Sequence, residues 1–360
     1  MKPEDVSLIP AILTTDGSRF CIKDRLWQSA PSAALTEGGR IFCAYSGDNN
    51  IADEKPTNYN VCAYSDDGGE HFSCAFYAYH EHEVRISEAL VFYEGGVLYH
   101  FWTQSYGYFD GRGGIFCVKC EEPDAPVPVF SAPCRLIDGF MAHTPTALSD
   151  NRWFFPSSIW THLPSSYHPY PERERPSVWL TRDCGSTFAY LGGTRDEQPD
   201  FTENAVFEKK DGTLVMLHRS QLGICRAYSY DGGYTWTGTK KMPFDHPTAR
   251  FFVSRFPSGA LLLVCHYGQK KRSHLSACLS YDDGESFPYR LLLDERMEIS
   301  YPSGNITKDG RAIIAYDRER TGAREILLAS FTEEDVRNGV FGDGSFTKKI
   351  VAKGGTDIGV

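Results

Sequence analysis

The stretch Ser229-Tyr-Asp231-Gly-Gly233-Tyr-Thr235-Trp236 decides the fold. Ser and Asp at this spacing can hydrogen-bond the local backbone, Gly supplies a positive φ, and the closing aromatic plugs into an apolar layer. The same order recurs at Ser65-Asp67-Gly69-Phe72, at Thr181-Asp183-Gly185-Thr187-Phe188 and at Ser280-Asp282-Gly284-Ser286-Phe287. Four copies with one internal spacing mark a structural repeat, so they are given no catalytic role.

A second pattern runs beside the first. Tight-turn pairs between apolar runs fall at Gly38-Gly39, Gly95-Gly96, Asp150-Asn151, Asp211-Gly212, Ser258-Gly259 and Asp309-Gly310. Such pairs are hairpin signals, and their recurrence about every 50 residues is the period of a propeller blade. Six turns predict an all-β, six-bladed β-propeller, read as a single domain over residues 1–360. Aromatics at 14% and 33 glycines suit strands joined by turns. The Pro-rich stretch Pro123–Pro133 reads as a loop in the connection from blade two to blade three. His162–Pro176 reads as a surface loop or lid, and Ser330–Phe341 as a short helical turn.

The formal charge of −10 gives no electrostatic reason to seek nucleic acid or an anionic membrane. No run of about 18 apolar residues offers a membrane span. Residues 1–20 lack a basic flank followed by a long apolar run. Together with eleven scattered Cys, this predicts a reducing cytoplasm and free thiols. Cys117-x-x-Cys120 stands without a second pair and reads as structural. No metal-ligand spacing and no Gly-rich phosphate loop appears, so no cofactor is expected.

In a propeller the innermost strands converge at the axis. Nine residues before the second turn residue lie Ala30, Ser87, Ala142, Glu203, Arg250 and Tyr301. Seven after it lie Ser46, Thr103, Ser158, Arg219, His266 and Asp317. These sets should face each other across each hairpin. Charges flanked by apolar strand residues are costly to bury unless paired, which marks Glu203, Arg250, Arg219 and Asp317 as site candidates. One register off stand Gln28, Arg85 and His143.

The four boxes resemble the Asp boxes of sialidases. The segment Thr202-Glu203-Asn204-Ala-Val206-Phe-Glu208-Lys-Lys-Asp211-Gly212, followed by Arg219, is similar to a pattern of that superfamily. The resemblance makes Glu203 the residue that polarises a catalytic Tyr, and Arg219 a ligand of a substrate carboxylate. By position Arg272 becomes a second carboxylate ligand. Ile299-Ser300-Tyr301-Pro302 with Ala315-Tyr316-Asp317 resembles the stretch that carries the nucleophile, implying Tyr301 for that role and Asp317 for orienting a basic partner. A neutral phenol avoids the repulsion an anionic sugar would meet at a carboxylate nucleophile.

The chain departs from the family at its first blade. Trp27-Gln28-Ser29-Ala30-Pro31 occupies the place of an Arg-bearing motif, and Arg25, Arg85 and Arg250 are the replacements within reach in sequence. The acid/base falls in Ile51–Tyr59, where Asp53 and Glu54 both fit, with Glu54 preferred. The pattern looks like a divergent bacterial sialidase-like branch. The expected activity is exo-hydrolysis of a terminal acidic sugar. A polysaccharide lyase using His143 or His266 as base and Tyr301 as acid, or a non-catalytic glycan-binding propeller, is the alternative.

Overall fold

The computed structural model describes residues 5–106, 112–148, 150–160 and 175–360. Six antiparallel sheets follow one another along the chain, each built from contiguous sequence. Five have four strands, and blade one gains a fifth at its outer edge, Ile12–Thr14. The inner strands are Trp27–Leu35, Val84–Glu94, Thr146–Ala147, Pro199–Glu208, Phe252–Arg255 and Ile299–Ile306.

Each interface between neighbouring blades holds its own apolar cluster. The strand Leu261–Cys265 shows why its sequence is apolar throughout. Leu262 and Val264 face blade six, while Leu261, Leu263 and Cys265 face blade four. A strand covered on both faces needs no alternation. Cys117 and Cys120 lie on one strand but in different clusters, as an odd separation on a pleated strand requires. Both are buried free thiols, and all eleven cysteines are free.

All six predicted turns join the first and second strands of a blade, and the second residue of each has positive φ. The Asp boxes join third and fourth strands. In the box at Ser229, Gly233 N–H donates to Ser229 Oγ (2.9 Å), while Thr235 N–H (2.9 Å) and Ser229 Oγ (2.9 Å) donate to Asp231 Oδ1. Phe287 of the last box is buried between blades four and five. Blade six carries instead a helix, Glu333–Asn338, capped by Thr332.

The Pro-rich stretch sits elsewhere than expected. It connects the third and fourth strands of blade two, Gly113–Cys120 and Cys134–Asp138, in the place of a box. Its carbonyls at Pro123 and Ala125 accept from Arg40, and Asp124 accepts from Gly38 N–H (3.1 Å), tying it to blade one. Of His162–Pro176, all but Arg175 and Pro176 lies outside the described residues.

Antiparallel alternation sorts these connections. First turns and Asp boxes lie at one end of the ring. The loops between second and third strands lie at the other, where inner strands begin. Blades one and six close the ring: Gln28 Nε2 donates to Ala352 O (3.1 Å), and Leu35 N–H to Asn305 Oδ1 (3.0 Å).

Candidate active site

Inner strands of four blades break their ladders, blade four between Pro199 and Asn204, and the other three breaks are alike. The register slips between Ser29 and Ser32, between Ser87 and Leu90, and between Ser300 and Ser303. In each bulge one residue takes positive φ: Ala30 at 50°, Glu88 at 60° and Tyr301 at 54°. A bulge re-aims its side chain, and positive φ at a non-Gly residue carries strain that packing must hold. The bulges put Glu88 and Tyr301 on a cavity of about 360 Å³ at the axis. The second-to-third-strand loops complete it with Asp53, Glu54, Lys55, Arg272 and Arg320. Glu203, Arg85 and Arg219 also line it.

Tyr301 is ringed by guanidiniums. The Cζ atoms of Arg320, Arg250 and Arg272 lie 3.9, 4.2 and 5.5 Å from its ring centre. Positive charge there offsets negative charge developing on a phenol oxygen that loses its proton. Arg320 is held by Asp317 (3.2 Å) and by Glu54 (3.6 Å). Asp317 also accepts from Ser29 Oγ (2.5 Å).

Glu203 is fully buried and gives one oxygen to Arg250 (2.8 Å) and the other to Arg219 (3.2 Å). Burial pushes this carboxyl up, but Arg250 and Arg219 outweigh it and hold the group down at about 2. Among the described residues no hydrogen bond joins Glu203 to Tyr301, and Arg250 stands against both. Arg219 is shared with Asp200 (2.9 Å). Arg272 donates to Ser300 Oγ (3.1 Å) and Thr248 O (3.2 Å), and no carboxylate of the described residues pairs with it. Phe140 and Trp160 stack 3.7 Å apart, and Trp160 meets Phe201 at 5.2 Å, which makes one wall aromatic.

The structure thus gathers Tyr301, Glu203, Glu54, Asp53, Arg219, Arg272 and Arg85 on one cavity. It corrects three other assignments, because Gln28, His143 and Arg250 do not line it; Asp317 lies behind it, against Arg320. Gln28 is spent on the seam between blades one and six. Arg250 is buried between Glu88 and Glu203 beneath the phenol. Asp317 acts through Arg320, the basic partner it was expected to orient. His143 and His266 are buried, and desolvation pushes them down to about 3 and about 4. Neither lines the cavity.

Six cavity residues escaped the sequence reading: Lys55, the aromatic wall of Phe140, Trp160 and Phe201, and the two with most bearing on the chemistry, Arg320 and Glu88. Arg320 follows Asp317 by three positions, and that spacing was its one signal. Glu88 was missed by one register, because blade two closes its first hairpin from Glu94 to Val97, whereas blades one and six use longer loops. A larger cavity, about 450 Å³, opens at the opposite mouth. Its Lys308 pairs with Glu37 (2.6 Å), and it holds no guanidinium. Among the described residues no group of three or more His, Cys, Asp or Glu is placed to hold a metal ion, and no helix is long and apolar enough to cross a membrane.

Residues 124–314 match the model of the BNR repeat-like domain. The chain belongs to the BNR repeat-like family. No curated protein matches this BNR repeat-like chain. Its fold is the sialidase-like six-bladed propeller. It is similar to a protein of unknown function from Dyadobacter fermentans (TM-score 0.65, 16% identity, 86% of this chain and 94% of that one). It is similar to the Hadza microbial sialidase Hz136 (TM-score 0.66, 15% identity, 86% and 66%). It is also similar to the intramolecular trans-sialidase from Ruminococcus gnavus (TM-score 0.63, 11% identity, 86% and 95%).

Proposed function

We propose that this propeller is an exo-acting glycoside hydrolase that cleaves a terminal sugar bearing a carboxylate. The observation that carries the reading is that Arg219, Arg272 and Arg320 line the same cavity as Tyr301 and Glu203. Guanidiniums bind a carboxylate through paired, charge-assisted hydrogen bonds. Arg320 takes the part of the arginine missing from the Gln28 region.

Tyr301 is the nucleophile in this reading and Glu203 its base. A carboxylate held at about 2 is a weak base. Substrate changes that. Its carboxylate on Arg219 draws away part of the positive charge that stabilises Glu203, so the base strengthens as the sugar seats. The aromatic wall offers the sugar ring an apolar face. The remaining role, delivery of a proton to the leaving oxygen, falls to a cavity carboxyl.

The test is a panel of 4-methylumbelliferyl glycosides: N-acetylneuraminic acid, glucuronic acid, galactose and glucose. Turnover confined to the carboxylated sugars, and lost in Tyr301→Phe, supports the reading. An inert wild-type protein, or equal turnover of the neutral sugars, overturns it. Ultraviolet-absorbing unsaturated products would instead mean elimination.

A further inference from the structure

We propose that Glu88, rather than the loop carboxylates Asp53 and Glu54, delivers the proton to the leaving oxygen. The inference rests on the glycosidase reading above.

Its position is the first argument. Glu88 occupies in blade two the bulge that Tyr301 occupies in blade six, and Ala30 fills the same place in blade one. A methyl group is therefore enough for the fold at this position. A buried carboxyl there is costly, and so is its positive φ. The costs fall together on a side chain that lines the cavity.

Its partners are the second argument. The charges facing Glu88 are Arg250, Glu203 and Arg85. Its Oε2 pairs with Arg250, while Oε1 accepts no hydrogen bond from a described residue. Arg250 is shared with Glu203, which has Arg219 as a second partner, whereas Arg85 is paired with Glu54 (3.1 Å). One guanidinium thus serves two buried carboxyls. Burial pushes Glu88 up while Glu203 is held low, and environments that separate two carboxyls in this way divide acid from base. The loop carboxylates are occupied. Asp53 pairs with Lys55 (3.0 Å) and Glu54 with Arg85 and Arg320; against the cost of burial, these cations hold both carboxyls below their usual range.

The phenol oxygen of Tyr301 bonds the anomeric carbon and its proton passes to Glu203. The glycosidic bond breaks, its electron pair stays on the leaving oxygen, and Glu88 protonates that oxygen. Glu88, now a carboxylate, then takes a proton from water. The water oxygen bonds the anomeric carbon, the tyrosyl bond breaks, and Tyr301 recovers its proton from Glu203.

The experiment uses the sugar turned over in the panel above, as its 4-methylumbelliferyl and its methyl glycoside. A phenolic leaving group departs without a proton and methanol does not. Glu88→Gln is expected to lose about 10²–10⁴-fold on the methyl glycoside, and less than about tenfold in bond cleavage on the umbelliferyl one. Equal losses on both overturn the proposal, as does the same split arising from Glu54→Gln and not from Glu88→Gln. If Glu88→Gln does not fold, Glu88→Asp, which shortens the reach of the acid, must show the split. Wild-type protein inert on the whole panel removes the glycosidase reading itself, and the assignment with it.

Discussion

Arg320 holds its guanidinium 3.9 Å from the centre of the Tyr301 ring. The contact joins a loop of blade six to that blade's own inner strand. Asp317 and Glu54 both pair with the arginine, so two carboxylates hold the cationic cover of the phenol. Arg320→Gln removes the charge but keeps polar reach. A charge-assisted contact contributes about 1.5–3 kcal/mol. The expected loss in kcat/KM is about 10–150-fold on a carboxylated sugar, and steady-state kinetics checks it.

Arg272 pairs with no carboxylate among the described residues, so it supports no ion pair of the fold. Arg272→Ala should raise KM for an acidic sugar by about 10–100-fold. Its melting temperature should stay near that of the wild type. A fall in stability without a change in KM would make Arg272 a structural residue.

Arg250 lies between Glu88 and Glu203, all three buried. Arg250→Met leaves both carboxyls without their shared cation and should cost about 3–5 kcal/mol of stability. Adding Glu88→Gln to that variant should restore part of the loss. Denaturant titration of the two variants measures both effects.

Acid should act on the fold through Glu203. Its folded value, about 2, is depressed below the usual 4.5. A depressed carboxyl contributes stability above its unfolded value and loses it as pH falls toward the folded one. Stability should therefore drop between about pH 4.5 and pH 2, and Glu203→Gln should flatten that limb. Glu88 is shifted the other way, so its contribution turns unfavourable as pH rises above the usual 4.5. Glu88→Gln should keep or raise the melting temperature at pH 7.

Asp231→Ala tests the boxes apart from the chemistry. It removes the acceptor of Ser229 Oγ, Thr235 N–H and Thr235 Oγ1. The expected outcome is a lower melting temperature with KM unchanged.

The boxes and hairpin turns were legible because they are local: a few residues fix each turn, and the spacing repeats. Tyr301, Glu203 and Arg219 were legible because they stand at fixed distances from those turns, and Arg272 through the resemblance, which places an arginine just before the box at Ser280. Gln28, His143 and Arg250 show the limit of that reasoning. Strand register brings a residue to the axis, but partners decide whether it meets the cavity or braces the wall beneath. Arg320 was hidden in Asp317-Arg-Glu-Arg320, a run that reads as a solvated loop until the Asp317 contact is seen. Glu88 was hidden by a shorter hairpin, which moved the bulge one residue along blade two.

The sorting of connections to opposite ends of the ring separates two kinds of change. Loops 49–58, 266–272 and 319–324 supply Glu54, Arg272 and Arg320, and none contains a box or a first turn. Grafting a different loop at any of the three sites would redraw what the cavity accepts and leave untouched the knots that lock the blades at the far face. On this scaffold, new selectivity can therefore accumulate one loop at a time.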